Sequence, residues 1–212
     1  MERERRRGQR QITDADLLRK IIMFLADNIG SNISLNSISN TLVSEKLLED
    51  RSRKGKPAVQ TIQAYVCALL ESFVFYEIKR FDIKGKDYLR TLGKYYIVDI
   101  GLRNYLLGYR EMDTGHAIEN IVYFELRRKG YEVYIGKNDT KEIDFVAVRR
   151  DERIYVQVCR NLPEESDREI ANLLEIRDHY PKYVVTLDAL ASGNVNGVKI
   201  VHLADFLLMD VY

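Results

Sequence analysis

The stretch YEVYIGKNDTKEIDFVAVRRDERIYVQVC, residues 131–159, decides the predicted fold of the second half of the chain. Aromatic and β-branched residues fill three short runs within it, and these runs predict strands at 131–135, 142–148 and 153–159. Polar residues typical of turns separate the runs. Three consecutive strands with short connections indicate a sheet built around this stretch.

Helical segments flank the three strands and complete the predicted order of elements. Apolar residues at helical spacing predict a helix at 115–129, ended by Gly130, and another at 164–178. Strands at 182–187 and 198–201 and a closing helix at 203–209 follow. The order α, β, β, β, α, β resembles the core of the PD-(D/E)XK restriction-endonuclease-like fold. We therefore predict an α/β domain of this type for residues 111–212.

The first half of the chain has the pattern of a winged helix. A helix capped by Asp14 and two further helices, at 35–42 and 57–71, precede extended runs at 73–81 and 94–99. Three helices followed by a β-hairpin resemble a winged helix, in which the third helix enters the major groove and the hairpin contacts phosphates. We predict a winged-helix-like domain at 12–110, after a basic tail at 1–11 with no assigned role, and thus a chain that combines α+β and α/β parts.

Charge is divided unevenly between the two predicted domains. The net charge is +1, but residues 1–110 contain 20 Lys and Arg against 13 Asp and Glu, whereas residues 111–212 contain 13 against 19. A basic half favours DNA as a partner, because neutralised phosphates release counterions. Winged helices also dock proteins, and a basic loop is often only a solvated one. The residues predicted to contact nucleic acid precede the third helix or lie in the hairpin turn: Arg51, Arg53, Lys54, Lys56, Lys84 and Lys86.

Four positions in the second half match the catalytic positions of the nuclease-like fold: Glu119, Asp144, Gln157 and Cys159. In that fold an acid on the first helix, an acid on the second strand and two residues at i and i+2 on the third strand surround Mg²⁺. Because side chains alternate along a strand, Gln157 and Cys159 are predicted to share one face, opposite an apolar one. Glu119, Asp144 and Gln157 are the candidate catalytic residues, and Glu119 and Asp144 the candidate Mg²⁺ ligands.

The third strand departs from the nuclease pattern at one decisive position. The pattern has Glu or Gln followed two residues later by Lys, but this chain has Gln157 and Cys159. A neutral thiol cannot replace an ammonium, and one Asp with one Glu makes a weak Mg²⁺ site. Three interpretations stay open: an inactive nuclease-like domain, a competent metal-dependent nuclease, and coincidental placement of these residues. The missing lysine favours the first.

Cysteine usage and hydropathy indicate a cytoplasmic protein. Cys67 and Cys159 lie in apolar runs, and neither a CxxC motif nor a Cys/His cluster accompanies them, so no disulfide and no zinc site is predicted. No stretch approaches the roughly 18 to 20 apolar residues of a membrane helix. We therefore predict a cytoplasmic location and no membrane partner.

Several longer segments carry a family resemblance that extends from Ile12 over nearly the whole chain. These segments are ITDADLL at 12–18, FLADNIG at 24–30, RFDIKGK at 80–86, KYYIVDIGLR at 94–103, GHAIENIVYFELRRKG at 115–130, EIDFVA at 142–147, YVQV at 155–158 and YPKYVV at 180–185. Together they resemble the C-terminal region of a family of prokaryotic AAA-superfamily P-loop ATPases, a region of unknown function.

The resemblance implies an N-terminal ATPase domain that this chain lacks, so that the chain is expected to be a C-terminal fragment or a truncated paralogue. ATP would bind only in that absent domain. The candidate partners are DNA, the absent ATPase domain and a second copy of the chain. The resulting hypothesis is a non-catalytic region that binds DNA or another partner through the basic winged helix. The alternatives are a metal-dependent nuclease acting on DNA and a pure protein-interaction module.

Overall fold

The computed structural model of the protein describes residues 12–44, 58–85, 87–162 and 166–212. Within these ranges the fold is mixed α/β, with seven α-helices, a 3₁₀ helix and nine strands that pair both in parallel and antiparallel. The chain divides into two units. Unit 1 contains the described residues up to Glu77 together with Tyr95–Gly108, and unit 2 contains Ile78–Lys94 and Tyr109–Tyr212. The basic tail at 1–11 lies outside the described residues.

The helices and strands include the predicted elements, together with four short elements that the sequence did not predict, at 32–33, 100–107, 111–113 and 193–195. The helices are α1 (Ala15–Asp27), α2 (Leu35–Ser44), α3 (Val59–Glu71), α4 (Ile100–Leu107), the 3₁₀ helix Glu111–Asp113, α5 (Thr114–Arg128), α6 (Ser166–Leu174) and α7 (Leu203–Leu208). The strands are β1 (Asn32–Ile33), β2 (Phe75–Asp82), β3 (Asp87–Ile97), β4 (Glu132–Asn138), β5 (Lys141–Arg149), β6 (Glu152–Cys159), β7 (Lys182–Thr186), β8 (Gly193–Val195) and β9 (Val198–His202). None of the described helices is both long and apolar enough to cross a bilayer.

Unit 1 is built around α1. The predicted cap is confirmed, because Asp14 Oδ1 accepts a hydrogen bond from the backbone N–H of Leu17 at 3.0 Å. The Asp14 N–H is also satisfied, since it donates to the hydroxyl of Tyr65 on α3 at 2.9 Å. Ile21 and Leu25 are fully buried in the apolar core of the unit, which fits a helix with one apolar face.

The sheet of unit 2 is mixed. Its strands are ordered β3, β2, β4, β5, β6, β7, β9, β8. The pairs β4–β5, β5–β6 and β8–β9 are antiparallel, whereas β2–β4, β6–β7 and β7–β9 are parallel. The predicted boundary at residue 110 differs from the observed division, because the second half of β2 pairs with β4, with Arg80 opposite Ile135. Residues 78–94 therefore belong to unit 2.

Helices α5 and α6 cover opposite faces of this sheet. Phe145 lies against Tyr123 of α5, with 6.4 Å between the ring centroids. The next residue, Val146, belongs to an apolar cluster with Ile170 and Leu173 of α6. Because neighbouring residues of a strand point to opposite faces, the sheet is buried on both sides.

The burial of both faces corrects the prediction for β6. Cys159, which was expected to belong to a polar site with Gln157, lies in the covered apolar core instead. Cys159 is 4% exposed and packs, with Tyr155, into the apolar cluster beneath α6. The physical reason is the central position of β6, which has β5 on one side, β7 on the other and helices above and below.

Candidate functional site

Three carboxyl groups of unit 2 converge on the ammonium of Lys94, near the end of the unit 2 part of β3. Lys94 Nζ lies 2.9 Å from Glu119 Oε1, 3.0 Å from Glu142 Oε1 and 3.7 Å from Asp144 Oδ1. Glu119 comes from α5, and the other two acids come from β5. We call these four side chains the Lys94 cluster. The Lys94 side chain is only 6% exposed, so the ammonium is held almost entirely by protein groups.

A second cation joins the cluster at its more open edge. Arg80 Nη2 lies 3.1 Å from Glu142 Oε2, and both side chains are partly exposed. Glu142 therefore bridges Arg80 and Lys94 through its two oxygens. Two cations thus face three acids, and the charges balance when one acid keeps its proton.

Where the backbone pairing of β5 and β6 ends, the side chains of Asp144 and Gln157 accept hydrogen bonds from backbone N–H groups of the two strands. The paired register of these strands runs from Arg149 opposite Glu152 to Phe145 opposite Val156. One residue further, the Asp144 N–H donates to Gln157 Oε1 at 3.1 Å, and the Val158 N–H donates to Asp144 Oδ2 at 2.9 Å. These two side chains satisfy backbone N–H groups that would otherwise be buried without partners.

The surroundings of the cluster shift its proton affinities. Burial, and next to it the charge of Glu119, raise the pKa of Asp144 to about 8, against the opposing effects of Lys94 and the Val158 N–H. Burial alone would lower the pKa of Lys94, but Glu119, Asp144 and Glu142 together raise it. Near neutral pH the cluster therefore holds a charged lysine beside a largely protonated Asp144.

This shift predicts a pH-dependent stability that Asp144→Asn should remove. An aspartate with a raised pKa keeps its proton in the folded protein and loses it in the unfolded chain, so stability falls as pH rises from about 4 towards about 8. Asparagine cannot ionise. Between pH 5 and pH 8 we expect the free energy of unfolding of the variant to rise relative to that of the wild type by at least about 1.4 kcal/mol, the equivalent of one pKa unit.

Urea unfolding followed by circular dichroism at both pH values measures this difference. Asp188→Asn, in a loop that follows β7, serves as the matched control and should show the same pH dependence as the wild type. A constant difference between Asp144→Asn and wild type at pH 5 and pH 8 would show that the carboxyl titrates normally.

The cluster does not fit a magnesium ion. Mg²⁺ needs several oxygen ligands at 2.0–2.1 Å in octahedral geometry. Here a buried ammonium already lies at hydrogen-bonding distance from Glu119 and Glu142, and it would repel a divalent ion placed between them. Over the described part of the chain, no group of three or more His, Cys, Asp and Glu is arranged to hold a metal ion.

Three of the four predicted site residues lie near one another, and two residues of the Lys94 cluster, Lys94 and Glu142, were not predicted. Glu119, Asp144 and Gln157 lie together through the Lys94 cluster and the β5–β6 hydrogen bonds, whereas Cys159 belongs to the apolar core. The lysine sought on β6 comes instead from β3. The available signal was Lys94 at the head of the apolar run Tyr95-Tyr96-Ile97, since a lysine buried with such a strand requires a charged partner.

Only one of the predicted nucleic-acid contacts lies within the described residues. Lys84 is on the turn between β2 and β3, where its side chain is 59% exposed and forms an ion pair with Asp139. Arg51, Arg53, Lys54, Lys56 and Lys86 lie outside the described residues.

The chain is similar to uncharacterized proteins of two organisms. It is 41% identical over 197 residues to an uncharacterized protein of Haemophilus influenzae, covering 93% of this chain and 47% of that protein. It is 27% identical over 170 residues to an uncharacterized protein of Methanocaldococcus jannaschii, covering 78% of this chain and 35% of that protein. The chain therefore spans half or less of the length of these relatives. The crystal structure of protein VC1899 from Vibrio cholerae aligns with a TM-score of 0.27 at 10% identity, over 93% of this chain and 55% of that chain.

These matches overturn the resemblance to an AAA-superfamily ATPase with a nuclease-like domain. The relatives are uncharacterized proteins about twice the length of this chain, and nothing in them points to an AAA ATPase or to a PD-(D/E)XK nuclease. That prediction is therefore wrong. A family model described as "Domain of unknown function (DUF8612)" matches residues 5–113, about half of the chain. The chain belongs to this family, the domain of unknown function DUF8612.

Proposed function

We propose that this chain is a binding module, with a basic first half that contacts duplex DNA and a second unit that serves as a folded scaffold without a hydrolytic centre. One observation carries the second part of this proposal. The ammonium of Lys94 lies within 3.7 Å of all three acids of the cluster. Acids that are neutralised from inside the protein are not available to hold a metal ion or to activate water.

The arrangement of charges supports a structural role for the cluster. A buried ion pair stabilises a fold only when its geometry is good and its remaining atoms are hydrogen-bonded. Glu142 uses both oxygens on cations, and Asp144 uses one oxygen on a backbone N–H. The cluster therefore ties β2, β3, β5 and α5 together within unit 2, which is the work of a scaffold.

Two observations support DNA as the partner. Residues 1–110 contain 20 Lys and Arg against 13 Asp and Glu, an excess that favours a polyanion. The order α1, β1, α2, α3, β2, β3 contains the three helices and the hairpin of a winged-helix-like domain, and we propose that fold for the first half. In such a domain the turn between β2 and β3, with the exposed Lys84, is the part that contacts phosphates.

The DNA contact is tested by salt dependence together with a fourfold substitution. Duplex binding of the wild type should weaken steeply between 50 and 200 mM salt. Changing Lys54, Lys56, Lys84 and Lys86 to alanine should remove about four phosphate contacts, so that the slope of log K against log salt becomes shallower by roughly 3 to 4. Fluorescence anisotropy with a labelled duplex measures both slopes.

A control with the same loss of charge keeps this test specific. Arg127, Arg150, Lys137 and Lys199 lie outside the basic first half of the chain, and their joint replacement by alanine should leave the slope nearly unchanged. Duplex binding that is equally insensitive to salt in all three proteins would rule out a phosphate contact. The basic residues would then be assigned to contact with another protein.

A further inference from the structure

A cleft of about 1020 Å³ in unit 2 lies among residues that have no part in the Lys94 cluster. It is lined by Ile83 and Lys84 from the β2–β3 turn, Asn138 from the end of β4, Arg153 from β6, and residues 174–180, which follow α6. We call it the Arg153 cleft. Its volume is at the upper end of the range that small-molecule sites occupy, so it can hold a ligand the size of a nucleotide.

Arg153 is a rigidly held cation at this cleft. Its guanidinium lies over the rings of Phe81 and Tyr180, with distances of 5.1 and 5.3 Å to the ring centroids. Its Nε is buried and has no hydrogen-bond partner in the described structure. The Nε lies too deep to touch a ligand, so a ligand in the cleft would meet the terminal nitrogens of a guanidinium whose plane is set by the two rings.

The two acids that line the cleft already bind other groups of the protein. They therefore do not occupy the arginines of the cleft, which can bind a ligand. Glu175 pairs with Lys141 at 2.6 Å, and Asp178 accepts hydrogen bonds from the Tyr155 hydroxyl and from Lys182. Arg177, in contrast, is exposed and has no carboxylate at ion-pair distance among the described residues. Arg153 and Arg177 therefore give the cleft a cationic side, and guanidinium groups suit phosphate because they bind it through two parallel hydrogen bonds.

An aromatic surface accompanies the cations. The ring of His179 lies on that of Tyr180, with centroids 4.5 Å apart and planes inclined by 30°. Both residues line the cleft, and His179 is exposed. Imidazole and phenol rings are common stacking partners of nucleobases. Asn138, whose amide both donates and accepts, lies at the same cleft and can recognise the edge of a base.

We propose that the Arg153 cleft binds a nucleotide, with Arg153 and Arg177 on the phosphate and the His179–Tyr180 pair beside the base. A free mononucleotide and a nucleotide within single-stranded nucleic acid offer the same chemistry. The inference is carried by Arg153, Arg177, His179 and Tyr180, none of which is changed in the test of the proposed DNA contact, although Lys84 belongs to that test and also lines the cleft.

Calorimetric titration of the wild-type chain tests the proposal. The ligands are AMP, the oligonucleotide dT10 and inorganic phosphate, and their comparison shows whether the bound nucleotide is free or part of a single strand. We expect AMP or dT10 to bind saturably and more tightly than inorganic phosphate. Arg177→Gln should weaken that binding by about ten-fold, because it removes a charge-assisted contact. Arg153→Lys should weaken it as well, since lysine keeps the charge but loses the planar fork. Arg127→Gln, an exposed site on α5, should leave it unchanged.

The outcomes of the titrations identify the ligand of the cleft and keep this inference apart from the proposed DNA contact. Binding of AMP alone assigns the cleft to a free nucleotide, and binding of dT10 alone assigns it to single strands. Failure of AMP and dT10 to bind, inorganic phosphate binding as tightly as both, or equal affinities in Arg177→Gln and Arg127→Gln would each overturn the inference. Because Arg177→Gln retains all four lysines, duplex binding in this variant reports on the proposed DNA contact separately.

Discussion

Replacing Lys94 with methionine should destabilise the protein by about 3–5 kcal/mol, the range typical of breaking a buried ion pair from one side. Methionine matches the length and shape of the lysine stem, so the change removes the charge and leaves the packing volume nearly constant. Glu119, whose side chain is only 11% exposed, would then lose the ammonium beside it, whereas Glu142 would keep Arg80. Urea unfolding followed by circular dichroism measures the loss, since the chain has no tryptophan to report by fluorescence.

The same substitution at Lys84 is the matched control. Lys84 pairs with Asp139, but both side chains are more than half exposed, at 59% and 64%. Such surface pairs contribute roughly 0–1 kcal/mol, so Lys84→Met should change stability little. Lowering the pH to 5 should restore part of the stability of Lys94→Met, because the remaining acids can take up protons. Equal effects of the two substitutions would show that Lys94 is not the centre of a buried cluster.

Replacing Gly136 with alanine should destabilise the protein by about 1–3 kcal/mol, the usual range for overpacking a filled core. A Cβ at this position of β4 would lie 2.8 Å from Val146 Cγ2, 2.9 Å from Ile143 Cβ and 3.0 Å from Ile83 Cδ1. The nearest neighbours are branched side chains on β5, and they cannot retreat without disturbing the buried strand. The register between β4 and β5 is irregular at this point, where the glycine permits the strands to approach.

Gly193→Ala, in β8, provides the control for the glycine experiment. A Cβ there meets nothing within 4 Å, so this substitution should be neutral or slightly stabilising by about 0.4–1 kcal/mol through the unfolded chain. Thermal unfolding monitored by circular dichroism compares the two variants. A Gly136→Ala variant as stable as Gly193→Ala would mean that β4 and β5 are less tightly packed than described.

Most of the secondary structure could be predicted from local patterns in the sequence. The cap at Asp14, the stop at Gly130 and the alternating apolar runs of β4 to β6 are local signals, and each corresponds to an observed element. The division into units was harder to predict, because it depends on β2 pairing with β4 across roughly 50 residues of chain. Pairing of that kind leaves no local signal.

Only part of the candidate site could be predicted from the sequence. Glu119, Asp144 and Gln157 could be grouped because an order of elements suggested neighbouring positions. Lys94 could not, because it lies on a strand that precedes those elements and reaches them only through the mixed sheet. The expected cation was therefore looked for two residues after Gln157, where the apolar Cys159 fills the core instead. The identity of the partner strand, rather than the residue types, was the missing information.

Lys94 takes the place of a metal ion among Glu119, Glu142 and Asp144. Calorimetric titration of the wild-type protein and of Asp144→Asn with Mn²⁺ shows whether it does. We expect no saturable binding at millimolar Mn²⁺ in either protein, because the buried ammonium already neutralises the acids. Binding of one Mn²⁺ per chain to the wild type that disappears in Asp144→Asn would show that the cluster is a metal site.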